Sequence, residues 1–135
     1  MTKSRVSNLS KTVLVIAGSD PSGGAGIQAD MKVFSAHKVY GMAAITALTA
    51  QNTKGVAAIH TPSADFVAKQ IRMVFADIRV DAVKVGMIAN AEIGKAVATT
   101  LKEVKAKNIV LDPVMIAKGG SPLLTEEAMG CMRDM

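Results

Sequence analysis

Four short stretches carry the groups that could do chemistry. The first is Ala17-Gly18-Ser19-Asp20-Pro21-Ser22-Gly23-Gly24-Ala25-Gly26-Ile27-Gln28-Ala29-Asp30, whose four glycines allow backbone N–H groups to come close to a ligand. Asp30 either accepts from a ligand hydroxyl or complements the positive end of a helix. The second stretch contributes Gln51, which offers an acceptor and a donor side by side. That pattern pairs with the edge of an aminopyrimidine, although a glutamine at a strand end also satisfies loop backbone. Met87, after Gly86, is a soft surface for a flat ring or a core filler. Asp112, before Pro113, suits a water or metal shell or a plain turn. His37 and His60 have no partner at metal-ligand or triad spacing, and neither is assigned a role.

The glycine loop excludes two phosphate-binding readings. No Lys-Ser or Lys-Thr follows the glycines, and Gly18-x4-Gly23-Gly24-x-Gly26 is not the dinucleotide spacing. An anion hole for phosphoryl transfer also needs a proton-moving group beside the glycines, and Ile27 stands there. The loop is therefore expected to cradle an acceptor molecule.

These residues must be brought together by the elements between them. Apolar runs predict strands at Thr12–Ala17, Gly41–Ala50, Gly55–His60, Ala82–Val85 and Asn108–Leu111. Helical spacing predicts segments over Gly24–His37 (Ile27, Met31, Phe34), after Pro62-Ser63 (Val67, Ile71, Val74, Ile78) and after Asn90 (Ile93, Val97, Leu101, Val104). Thr125 is the expected N-cap of a last helix, beyond Gly119-Gly120. The order β-α-β-β-α-β-α-β predicts a mostly parallel α/β sheet with helices on its faces. Ligands bind such sheets at the carboxyl ends of the strands, where Ser19, Asp20, Gln51, Asn52, Met87, Asn90 and Asp112 all fall.

Bulk properties narrow the classes. The chain has 135 residues, half of them hydrophobic, which fits one globular domain and not a disordered one. No apolar run reaches membrane-spanning length. The net charge of +5 comes largely from a basic tail over residues 1–11 and from Lys102, Lys105 and Lys107, expected on one helix. Nucleic-acid binding would call for interleaved aromatics, yet only Phe34, Tyr40, Phe66 and Phe75 are present, at least three at core spacing. The lone Cys131 makes no internal disulfide, in keeping with a cytoplasmic setting.

The chain resembles the hydroxymethylpyrimidine/phosphomethylpyrimidine kinases, the thiamine-biosynthesis branch of the ribokinase-like superfamily. The resemblance runs from about Lys11 to the last residue. It rests on the glycine loop and on Ile45-Thr46-Ala47-Leu48-Thr49-Ala50-Gln51-Asn52-Thr53, Val83-Lys84-Val85-Gly86-Met87 and Val110-Leu111-Asp112-Pro113-Val114-Met115. It implies a ribokinase-like three-layer sandwich and ATP- and Mg²⁺-dependent phosphorylation of 4-amino-5-hydroxymethyl-2-methylpyrimidine and then of its monophosphate. By the same resemblance Gln51 would pair with the aminopyrimidine edge, and Gly18, Asp20 and Ala25 would line the ring pocket. Asp30 would stand near the hydroxymethyl group, and Met87 and Val114 would pack on the ring. Asp112 would belong to the Mg²⁺ and phosphate environment.

The partner implied is a small-molecule pyrimidine, with no nucleic acid or membrane, and the full-length family implies a homodimer. The family's catalytic residues fall in a second half that is absent from these 135 residues, and the neighbours of Cys131 form no glycine-rich turn to replace them. Residues 12–135 are thus expected to be the N-terminal portion of a kinase domain, incomplete at its C-terminus and inactive alone. Two alternatives stand beside this reading: a pyridoxal-type vitamin kinase, and a non-catalytic half-domain that binds a pyrimidine or a partner chain.

Overall fold

A computed structural model describes residues 11–113. The expectations for Val114, Gly119-Gly120, Thr125 and Cys131 lie outside the described residues. Within them the elements follow the expected order: β1 (Thr12–Ser19), α1 (Gly26–Ala36), β2 (Tyr40–Asn52), β3 (Gly55–His60), α2 (Ala64–Asp77), β4 (Ala82–Val85), α3 (Ala91–Glu103) and β5 (Ile109–Leu111). The five strands form one sheet in the order β3-β2-β1-β4-β5. All neighbours are parallel except the β2–β3 hairpin, which is antiparallel at one edge.

Period-two alternation divides each inner strand between two faces. Leu14 and Ile16 of β1, Met42 and Ala44 of β2, and Val83 and Val85 of β4 meet Val67 and Ile71 of α2 and Ile93, Val97 and Leu101 of α3 in one core. Each fully buried aliphatic side chain there contributes about 1.5–3 kcal/mol relative to exposure. Helix α1 packs on the opposite face, against β1 and β2. On the same face β4 and β5 carry Lys84, which reaches Asp30 of α1, and its register partner Val110, which is 62% exposed.

The starts of α2 and α3 are fixed by capping side chains, while α1 follows Ala25 without one. Ser63 accepts from the Phe66 amide and Asn90 from the Ile93 amide, each satisfying a donor with no partner inside the helix. The helix ends depart from expectation. Helix α3 stops at Glu103, so Lys105 and Lys107 do not share a helix with Lys102. The aromatic expectation also fails. Phe66 is 55% exposed and Tyr40 40%, while Phe75 packs on the core. On α2 it is Val67, one position on, that takes the inward place. Among the described residues no helix is long and apolar enough to cross a membrane.

Candidate functional site

At the carboxyl ends of β1, β2, β4 and β5 lies a cavity of about 480 Å³. Gly18, Asp20, Ala25, Asp30, Gln51, Met87 and Asp112 all line it, from segments nearly a hundred residues apart. Asn90 does not. Its carboxamide is committed to capping α3.

One wall is the glycine loop, and Asp20 shapes it. This residue is only 3% exposed. Its Oδ1 accepts from the Ser22 amide at 2.8 Å and the Ser22 hydroxyl at 2.7 Å. Its Oδ2 accepts from the amides of Gly24 at 3.1 Å and Ala25 at 2.9 Å. The Ser22 hydroxyl, followed by the three amides and against the effect of burial, holds the carboxyl below its ordinary value. The loop amides that the glycines were expected to offer to a ligand are therefore largely taken by this carboxylate. What the loop presents to the cavity is surface and shape. Gln28 completes the fold of the loop, accepting from the Asp20 amide and donating to Ser19 Oγ, both at 2.8 Å.

Gly26 lets the loop double back. Its φ is +57°, and a Cβ there would stand 2.4 Å from the Gly18 carbonyl oxygen. Gly18 in turn makes room for Met87, whose methyl would meet a Cβ at 2.8 Å. Met87 itself is fixed through its carbonyl, which accepts from the buried Thr46 hydroxyl at 2.6 Å. Thr46 is the extra residue of a bulge, because Ala17 pairs with Ile45 and Gly18 with Ala47.

Gln51 sits beside a second bulge, between Ala50 and Gln51 against Ala58 and Val56 of β3. Thr49 lies 2.8 Å from the Ser19 carbonyl and 3.1 Å from the Gln51 amide group. A hydroxyl has one proton. That proton goes to one of two acceptors, the Ser19 carbonyl or Gln51 Oε1, and in either case Gln51 meets Thr49 through its oxygen. The amide N–H donors of Gln51 and a lone pair of its Oε1 are left for a ligand.

The acidic wall brought a residue that sequence reasoning passed over. Lys84 Nζ lies 2.9 and 3.1 Å from the two oxygens of Asp30 and 3.6 Å from Asp112 Oδ2. The signal was present as a lysine between two valines that are fully buried in the strand. Asp112 is 58% exposed along its side chain, and its amide donates to the Val85 carbonyl at 2.8 Å.

The sequence profile of the phosphomethylpyrimidine kinases matches residues 20–135. The chain belongs to the phosphomethylpyrimidine kinase family. It is 53% identical over 120 residues to the hydroxymethylpyrimidine/phosphomethylpyrimidine kinase of Escherichia coli, covering 89% of this chain and 45% of the relative. The corresponding Bacillus subtilis kinase is 48% identical over 122 residues, covering 90% and 45%. The chain thus spans about half the length of the curated relatives it matches. Among solved structures, a phosphomethylpyrimidine kinase from Clostridium difficile superimposes with a TM-score of 0.84 at 52% identity, over 90% of this chain and 53% of that one. A Bacillus subtilis pyridoxal kinase in complex with ADP gives 0.76 at 38% identity, over 91% and 45%. The mostly parallel sheet is therefore the scaffold of this family and of related vitamin kinases.

Proposed function

We propose that this chain forms the acceptor-substrate side of a hydroxymethylpyrimidine/phosphomethylpyrimidine kinase and binds 4-amino-5-hydroxymethyl-2-methylpyrimidine. The observation that carries this reading is the unspent donor–acceptor pair of Gln51 on a cavity wall faced by Gly18 and Met87. Gln51 pairs with the aminopyrimidine edge, and Met87 packs on the ring together with Val114, which lies outside the described residues. Asp20 and Ala25 set the shape of the ring pocket through the loop, and Asp30 stands on the hydroxymethyl side.

The reaction of the whole kinase uses ATP with Mg²⁺. Mg²⁺ takes near-octahedral oxygen coordination. Among the described residues no three of His, Cys, Asp or Glu group to hold a metal, and the nearest candidates, Asp30 and Asp112, are drawn to Lys84. The described residues do not by themselves fit the metal–nucleotide group, and no step is routed through it. Their work is to bind and orient the acceptor.

Isothermal titration of the aminopyrimidine into the wild-type chain and into Gln51→Leu tests the reading. Leaving the ring's polar edge unpaired should weaken binding by roughly ten- to a hundredfold. Equal affinity in the two proteins would sink the assignment of Gln51. The similarity to pyridoxal kinase supports a second reading, in which pyridoxine fills the same cavity. Competition separates the two, since the aminopyrimidine edge alone depends on both hydrogen-bonding groups of Gln51.

A further inference from the structure

Lys84 is the only Lys, Arg, Asp or Glu within the five described strands and, among the described residues, the only cation lining the cavity. Its ammonium has three protons. Two contacts go to Asp30, while Asp112 at 3.6 Å attracts it electrostatically but is too far for a hydrogen bond. Gly86 keeps the space around it open, since a Cβ at that position would stand 3.2 Å from Nζ.

The gap between Lys84 and Asp112 suits one kind of group. It must accept from an ammonium and donate to a carboxylate. A hydroxyl does both, a carbonyl only accepts, an ammonium only donates, and a methyl does neither. We propose that Lys84 is a specificity-determining residue that donates to the oxygen of the acceptor's hydroxyl while Asp112 accepts from the same hydroxyl. Asp30 is then the residue that holds the ammonium in place. This deepens the acceptor-site reading above and rests on it.

The experiment is an equilibrium titration of two rings that differ in one atom, the 5-hydroxymethyl aminopyrimidine and its 5-methyl analogue. Wild type should favour the hydroxymethyl ring by about tenfold, the worth of a hydrogen bond to a charged group. Lys84→Met, of similar length but without donors, should reduce that preference to within about twofold, the loss falling on the hydroxymethyl ring. Lys84→Gln, which keeps an N–H donor without the charge, should retain an intermediate preference and tests the idea even if the methionine variant folds poorly. A counter-ion with a purely structural role would weaken both rings together. That result, or an undiminished preference in both variants, overturns the proposal and leaves the aminopyrimidine site standing. Wild type binding both rings equally would do the same. Wild type binding neither ring would overturn the acceptor-site reading, and this proposal with it.

Discussion

Two glycines of one loop, Gly24 and Gly26, face opposite constraints. A methyl at Gly24 would find only Asp20 Oδ2, 3.9 Å away, whereas at Gly26 it would strike the Gly18 carbonyl from a left-handed backbone. Gly26→Ala should therefore lower stability by at least about 2 kcal/mol, from αL strain plus a forced backbone shift. Gly24→Ala should cost less than about 1 kcal/mol. Thermal or urea unfolding of the two variants checks the contrast, and equal losses would show that the loop does not double back as described. Lys84 belongs to the same scale. Its neighbours were legible as a buried strand, but the use of its charge depends on Asp30, fifty-four residues earlier, which no local pattern connects to it.

Among the elements, α1 and α3 end alike. The amide of Val39 donates to the Phe34 carbonyl and that of Lys38 to Ser35, and Ala106 to Leu101 and Lys105 to Lys102 repeat the pattern. This is the Schellman closure, and its left-handed position is held by Lys38 (φ 57°) and Lys105 (φ 53°) where glycine is usual. Lys105→Gly should raise stability by up to about 1 kcal/mol, read as a higher melting midpoint, and a loss would mean the lysine side chain does more than tolerate the turn.

The same positions explain what the sequence hid. Ser63 and Asn90 announced their helices because a capping side chain is itself the signal. A lysine in a left-handed turn announces nothing, so α3 was extended past Glu103. The bulges at Thr46 and beside Gln51 were hidden for another reason: an extra residue exists only relative to a partner strand. The apolar runs and their order sufficed for the sheet, and strand polarity sufficed for the convergence of Ser19, Asp20, Gln51, Asn52, Met87 and Asp112, though not for the exclusion of Asn90.

For the whole molecule, two carboxylates, one closing a local loop and one joining distant segments, set the response to acid. Asp20 folds the glycine loop, and Asp81 joins the start of β1 to the segment before β4, its Oδ2 accepting from the Thr12 amide at 2.9 Å. The Arg79 side chain, followed by that amide, holds Asp81 below its ordinary value of 3.8, and Asp20 is lowered likewise. A carboxyl lowered in the folded state adds stability that is complete above its ordinary range and is lost as pH falls through its native value. Melting midpoints should therefore be flat down to about pH 5 and decline below about pH 4, more gently in an Asp20→Asn, Asp81→Asn double variant. Parallel declines in the two proteins would assign the acid sensitivity elsewhere. The carboxylate seated in the glycine loop has one more effect. Because Asp20 supplies from within what an incoming anion would otherwise have to supply, the loop loses its conformational freedom during folding and not during encounter. An arriving ring meets a wall already set, and little of its binding free energy is spent on ordering the chain.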